Sequence, residues 1–572
     1  MQQDKDFIVR FAGEGGQGMV TAADSLAQSA AQVGYFIQTY STFPSQIVGG
    51  PTWAQVRISS RPVLSSGDQL DALIAFNQEA FDTHAGSVRD GGVIIYNSEE
   101  FDLEDDGRSF GMRFDELGKS TGNPRAANMV VLGAIAHLTN WPQQYLNDFV
   151  VRRFTRGRPN DEQIIEANIQ ALALGREGAA ATNFHLGELP PIEKPTWDQV
   201  LVNGNQAIAL GAMAAGVDVF VGYPISPATT ILVFMEQNLT GEDKFVYQAS
   251  SEIESINAIA GAGYAGKKAM TSTAGPGLSL MSEGIGMAWM MEVPLVIADI
   301  QRGGPATGLP TKTEQSDFQI ALHPAHGDAS LPVIAPGTVE ECFTAGAVAL
   351  NWAERYQGPV ILLSEHMLSE RAQNIPTPDV AGVLDERRLV YRGDNGYLRY
   401  ENSTLSPMPI PGGPGSYVAN ASEHDPMGDT THRPDRHVHM TERRFSKLAL
   451  LNDGTFEEEL SDEPVVIMPW GGSKGPAREA YEELLVQGEK FGWYYTMYLH
   501  PLPDALLASL QQKDLVIVPE LNYLGQFASY LRSLGVRAEA LTQYDGLPFG
   551  VRDLMVRIPD LAASRKQGVV KA

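Results

Sequence analysis

Short apolar runs alternate with stretches of helical apolar spacing along most of the chain. Residues 7–12 form an apolar run of strand length, followed by a glycine-rich turn and helical spacing from 19 to about 34. Further strand-length runs fall at 54–58, 72–75 and 92–96, with helical patterns between them and after 123. This alternation predicts an α/β domain with a largely parallel sheet over residues 1–187. The segment Glu188-Leu189-Pro190-Pro191-Ile192-Glu193-Lys194-Pro195 reads as an extended, proline-rich linker.

The rhythm resumes over 195–373. Helical spacing is expected at 204–216, 252–266 and 278–289, and strands at 217–223, 269–273, 295–300 and 359–363. From 374 to 460 the pattern is lost, and a largely irregular connecting segment is expected there. A third α/β region spans 461–572. Its predicted strands are 465–469, 493–499 and 515–518, and its predicted helices are 475–487, 503–511 and 526–534. The fold class is therefore multidomain α/β.

Composition removes several function classes. The net charge of −27 argues against a nucleic-acid surface, which needs an excess of Lys and Arg. No run of about 18 apolar residues occurs, so no membrane helix is expected, and the polar start, Met1 to Asp6, does not resemble a signal peptide. The single cysteine, Cys342, excludes an internal disulfide and cannot ligate an iron–sulfur cluster alone. It lies in an apolar run and reads as a small buried hydrophobe in a cytoplasmic protein. His424, His432, His437 and His439 lack metal-ligand spacing, so no metal is expected on this chain.

Four glycine- or proline-framed turns carry the candidate chemistry, each at the end of an expected strand. The first, Gly13-Glu14-Gly15-Gly16-Gln17-Gly18, has the G-x-G-x-x-G spacing that lets amides approach a phosphate. No Asp or Glu occurs in residues 25–65 to hold a ribose, so NAD is not indicated. A tight strand–helix turn and a different phosphate ligand both stay open. The second, Tyr223-Pro224-Ile225-Ser226-Pro227, fixes a hydroxyl between two prolines; a helix cap is the plain alternative. In the third, Ser250-Ser251-Glu252 opens a helix, and Ala274-Gly275-Pro276-Gly277 follows the next strand. An N-cap with acids in the first turn explains Glu252 equally well at this level. The fourth, Gln301 to Thr313, holds Arg302 among glycines, a setting suited to carboxylate binding or to a solvated loop.

Together these pieces resemble the 2-oxoacid:ferredoxin oxidoreductase family across nearly the whole chain. Tyr223 to Pro227 is similar to the family's Y-P-I-T-P motif, and Gln301-Arg302-Gly303-Gly304-Pro305-Ala306-Thr307-Gly308-Leu309-Pro310-Thr311-Lys312-Thr313 to its Q-R-G-G-P-S-T-G-L-P-T-K-T signature. Residues 1–187 resemble the gamma module, 195–373 the domain that binds the pyrimidine of thiamine diphosphate, and 461–572 the transketolase-like C-terminal domain. The resemblance implies that Glu252 contacts the aminopyrimidine, among Tyr223, Pro224, Ile225, Gly275 and Gly277. It also implies that Ser226, Arg302 and Thr311 meet the substrate, and that Gly13, Gly15, Gly16 and Gly18 lie on the coenzyme A side.

The chain has no Gly-Asp-Gly motif, so the resemblance leaves Mg2+, the diphosphate and a [4Fe-4S] cluster to a beta subunit. It implies a dimer of alpha–beta heterodimers that reduces ferredoxin. The fused gamma–alpha layout points to 2-oxoglutarate, with pyruvate, branched-chain or aryl 2-oxoacids as the alternatives. A non-catalytic assembly or nucleotide-binding subunit is the rival from another class. Two departures stand out: Ser226 replaces the motif's Thr, and Val48 stands before Gly49-Gly50, where the gamma module often has Arg.

Overall fold

The opening apolar run becomes the strand Phe7–Glu14, buried on both faces: Phe7, Val9 and Phe11 enter one core, and Ile8 and Ala12 another. The computed structural model describes residues 6–42, 49–189, 192, 198–401 and 404–566; Val48 and most of the expected linker's proline-rich end lie outside them. The chain divides into two compact units, Met1–Val202 with Arg371–Thr377, and Asn203–Glu370 with Pro378–Ala572.

In the first unit Phe7–Glu14 is central. Leu70–Ala75 pairs with it in parallel, Val88–Asn97 with Leu70–Ala75, and Ser109–Met112 with Val88–Asn97. On its other side Pro51–Ser59 pairs antiparallel, and Phe36–Thr42 pairs antiparallel to that strand. The sheet is thus mixed, not largely parallel. Phe36–Thr42 was not expected from the sequence; its residues, Phe-Ile-Gln-Thr-Tyr-Ser-Thr, are half polar yet mostly buried. The helix Met19–Val33 packs its alanine-rich face on this sheet, with Ala22, Leu26 and Ala30 fully buried.

The second unit holds two sheets. The larger has the order Tyr498–His500, Val333–Ile334, Pro359–Glu365, Leu295–Gln301, Ala269–Thr273, Val219–Gly222, Phe245–Gln248. Pairing is parallel except for Tyr498–His500 against Val333–Ile334. The chain leaves Val219–Gly222 for Phe245–Gln248 on one side and returns to Ala269–Thr273 on the other. That reversal opens a crevice at the carboxyl ends of the strands, where open α/β sheets bind ligands. The smaller sheet has the order Glu457–Glu459, Gly492–Tyr495, Val465–Ile467, Leu515–Glu520, Ala538–Thr542.

The expected strand at 493–499 is two strands, Gly492–Tyr495 and Tyr498–His500, serving different sheets. Residues read as rhythmless include a helix, Pro434–Ser446. No helix among the described residues is long and apolar enough to cross a membrane.

Candidate active site

Four neighbouring strands of the larger sheet lead into the second, third and fourth motifs at their carboxyl ends. Val219–Gly222 runs into Tyr223-Pro224-Ile225-Ser226-Pro227, in which Ser226–Pro227 is a cis peptide and Tyr223 is exposed. The helix Thr229–Asn238 follows, capped at Ala228 with no side-chain cap bond, so Ser226 is not its cap. Its carbonyl accepts a 2.6 Å hydrogen bond from Arg302 Nη1, tying the second motif to the fourth.

Glu252 is the first residue of the helix Glu252–Tyr264, and Ser251 caps that helix by accepting from the Glu254 amide. The capping expectation therefore holds for Ser251. Glu252 itself is buried, its side chain over the glycine turn after Ala269–Thr273. A methyl group added at Gly277 would stand 2.6 Å from Glu252 Cγ and 2.8 Å from Oε1. One added at Gly275 would stand 2.7 Å from Asp317 Oδ2. The third motif is thus a carboxylate laid against a slot that only glycine leaves open.

Leu295–Gln301 ends at Arg302, which is 8% exposed. The loop beyond it closes on itself: Leu309 N–H donates to Gly303 O at 2.7 Å, and Gly303 N–H to Lys312 O at 3.1 Å. Gly308 has φ +53°, and a side chain there would meet Gly303 O at 1.9 Å. Arg302 stands at the neck of this closed loop and Thr311 is half-buried within it. Burial lowers the Arg302 pKa, and the Asp317 carboxylate acts against that shift. Arg302 Nε is buried without a hydrogen-bond partner, a donor aimed at no protein acceptor.

Sequence reading missed two carboxyls here. Asp299 is fully buried in the strand three residues before Arg302, in register with Thr273. Asp317 donates its backbone N–H to Gln301 Oε1 at 3.0 Å. The Thr-Glu-Gln-Ser-Asp run just past the Arg302 loop was the available signal. Glu252 and Asp317 border Gly277 and Gly275 of one turn, Arg302 bonds Ser226, and Asp299 interacts with Asp317.

The first unit holds the Gly13–Gly18 loop by itself. Gly15 N–H donates to Gly50 O at 3.0 Å and Gln17 N–H to Glu14 O at 3.1 Å. Gly18 (φ +92°) caps the helix Met19–Val33 against Asn128. Gly13 has no room for a side chain beside Gln17 and Phe76. Gly16, Gln17 and Gly18 line a cavity of about 640 Å³ together with Arg125, Arg153, Arg156 and Arg158. These arginines were also missed, although Arg152-Arg153 with Arg156 and Arg158 forms a basic run in an acidic chain.

Comparison with known proteins gives the family. Residues 8–178 match the family described as pyruvate ferredoxin/flavodoxin oxidoreductase, and 210–443 match pyruvate flavodoxin/ferredoxin oxidoreductase, thiamine-diphosphate-binding. The chain is 32% identical to 2-oxoglutarate oxidoreductase subunit KorA of Mycobacterium tuberculosis, over 96% of this chain and 90% of that one. The chain belongs to the 2-oxoacid:ferredoxin oxidoreductase family. It is of the alpha-subunit type, 28% identical to subunit alpha of an Aeropyrum pernix 2-oxoacid:ferredoxin oxidoreductase over 99% of each chain. It is also similar to a solved 2-oxoglutarate:ferredoxin oxidoreductase of Magnetococcus marinus, with 2-oxoglutarate, coenzyme A and succinyl-CoA bound. That structure is 35% identical, with a TM-score of 0.91, over 98% of this chain and 100% of that one.

Proposed function

We propose that this chain is the alpha subunit of a cytoplasmic enzyme that interconverts 2-oxoglutarate and coenzyme A with succinyl-CoA, CO2 and reduced ferredoxin. The observation that carries this reading is Glu252 lying against the Gly275–Gly277 slot, with Arg302 bonded to the Ser226 carbonyl on the neighbouring strand end.

The slot fits the aminopyrimidine of thiamine diphosphate, since a side chain at Gly277 would fill it and Glu252 borders it. When bound, that cofactor supplies the electron sink for decarboxylation. Glu252 would hold or release a proton at a ring nitrogen of that group, and Tyr223, Pro224 and Ile225 would supply its further contacts. Arg302 offers its unpaired Nε–H to a carboxylate of the substrate, with Thr311 and Ser226 beside it. The low dielectric of a site that buries Arg302 strengthens that contact. In the first unit, Gly13, Gly15, Gly16 and Gly18 with Arg125, Arg153, Arg156 and Arg158 form the coenzyme A side, where amides and guanidinium groups meet phosphates.

A beta subunit brings the diphosphate site, Mg2+ and a [4Fe-4S] cluster, and the assembly is a dimer of alpha–beta heterodimers. The test is reconstitution with that subunit and steady-state rates across 2-oxoacids. The reading expects 2-oxoglutarate to have the highest kcat/KM; a preference for pyruvate or a branched-chain acid overturns the substrate assignment. An Arg153→Ala, Arg156→Ala pair should raise KM for coenzyme A and leave KM for the 2-oxoacid unchanged. Equal rises in both would remove the cavity from the reading.

A further inference from the structure

The two carboxyls beside Arg302 form an unusual arrangement. Asp299 is fully buried, and no donor reaches either of its oxygens or Asp317 Oδ2. The two carboxyl groups are instead each other's nearest interacting partners. Two carboxylates have only acceptor atoms, so these oxygens satisfy each other only when one of them carries a proton. The pair is held rigidly: Asp317 N–H donates to Gln301 Oε1 at 3.0 Å, and Gln301 Nε2 donates to Ser364 O at 3.1 Å. Asp317 Oδ2 lies against Gly275, at the start of the helix Gly275–Met291, where a negative charge is favoured.

The charged groups that face Asp317 are Arg302, which stabilises its ionised form as Asp299 does by donating its proton, and Glu314, which opposes it. Glu314 accepts from Gly304 N–H at 3.3 Å and from Ser316 Oγ at 3.2 Å. The first turn of the Gly275–Met291 helix adds no acid. Glu252 stands across the same turn, at Gly277.

We propose that Asp299 and Asp317 share one proton and together act as the adjustable counter-charge of Arg302, so that the arginine binds a carboxylate substrate more tightly once the pair takes up a second proton. This rests on the reading of Arg302 as the substrate's carboxylate clamp. Burial and Asp317's charge raise Asp299 well above the usual carboxylate range, so it is the protonated member at neutral pH. Burial and the Glu314 charge raise Asp317 to about 6. Above that pH the pair carries one negative charge that competes with the substrate for Arg302. Below it the pair is neutral and Arg302 is left for the substrate. Both aspartates are positioning residues: they act on substrate through Arg302.

The test uses the assembled enzyme and N-oxalylglycine, a non-reacting dianion shaped like 2-oxoglutarate, with Kd measured by calorimetry. For the natural protein Kd should tighten roughly five- to tenfold as pH falls from about 8 to about 5.5. In Asp317→Asn the dependence should vanish at the tight limit, because the buried Asp299 stays protonated. In Asp299→Asn it should vanish at the weak limit, because the new amide donates to Asp317 and keeps it ionised. Difference infrared spectra give a second reading without ligand. The carbonyl band of a protonated buried carboxyl should be present at neutral pH in the natural protein and in Asp317→Asn, and absent in Asp299→Asn. A purely structural pair would lower the melting temperature of both variants and leave the pH dependence of Kd intact, which overturns the proposal, as does a missing infrared band. Arg302→Lys separates the two layers: natural Kd in that variant overturns the clamp reading, whatever the infrared band shows.

Discussion

The helix Gly275–Met291 has a group of buried charges at each end, and the two groups are built in opposite ways. At about 1.5 Å per residue its 17 residues separate them by some 25 Å. At the amino end stand Glu252, Asp317, Asp299 and Arg302, several of whose polar atoms have no hydrogen-bond partner. At the carboxyl end stands Glu292. Arg443 Nε bonds it at 2.9 Å, Lys447 Nζ at 2.7 Å, and Arg399 Nη2 lies at 3.5 Å. The cations hold the Glu292 carboxyl far below the usual carboxylate range despite complete burial. Cations also suit the carboxyl end of a helix. The carboxyl end is a closed structural cluster that docks the helix Pro434–Ser446 and its flanks. The amino end leaves donors and acceptors open at a crevice, which is where a ligand is expected.

The sharpest way to break this contrast is at Glu252. In Glu252→Gln, turnover of the assembled enzyme should fall about 10²–10⁴-fold while melting changes little. If the variant instead loses stability and keeps its rate, the amino-end charges are structural as well.

The contrast also explains what the sequence could and could not reveal. Val219–Gly222, Ala269–Thr273 and Leu295–Gln301 were legible because strands buried on both faces are plain apolar runs, and the motifs sit where those runs stop. Glu252, Arg302 and the glycine turns followed from that placement and from the family's signature. Phe36–Thr42 was not legible, since Gln38, Thr39 and Thr42 are polar residues that the sheet buries. Sheet direction in the first unit was lost with it, because the turn-back from that strand is what sets Pro51–Ser59 antiparallel to Phe7–Glu14. Asp299 sits inside an apolar run, and Arg399, Arg443 and Lys447 look like solvated charges. Only long-range pairing reveals that they are buried, and no local period encodes it.

At the carboxyl end, Glu292→Gln keeps the shape and removes the one carboxylate shared by the three cations. Breaking a buried ion group from one side leaves uncompensated charge, so stability should fall by about 3–5 kcal/mol in urea unfolding. The kcat of the protein that remains folded should be unchanged. A loss of kcat with normal stability would mean that the two ends are coupled through the helix.

Arg302→Lys should cost the amino end about 2–4 kcal/mol in kcat/KM for 2-oxoglutarate, because an ammonium cannot reproduce the guanidinium fork. Affinity for thiamine diphosphate should stay the same. A parallel fall in cofactor affinity would show that Arg302 supports the loop and its Ser226 contact more than the substrate.

The smallest effect expected is a pH dependence from the carboxyl end. Lys447 is fully buried, and burial together with Arg399 and Arg443 lowers it to about 7, although Glu292 pulls the other way. Its unfolded value is that of an ordinary lysine, about 10.4. Between these values the unfolded chain holds a proton that the folded chain has released. The unfolded state therefore binds more protons, and stability rises with pH through this window. The slope from one such group is about 1 kcal/mol per pH unit just above 7. Below 7 both states hold the proton and the contribution levels off at its low value. Lys447→Met keeps the stem's packing and removes the titration, so urea unfolding between about pH 7 and 9 should lose that rise. Asp317, at about 6, titrates below this range, and the raised Asp299, which keeps its proton in the folded chain after the unfolded chain has lost it, lowers stability with pH, the opposite sign. An unchanged slope in Lys447→Met would mean that the three cations and Glu292 share their protons differently, with Lys447 charged throughout.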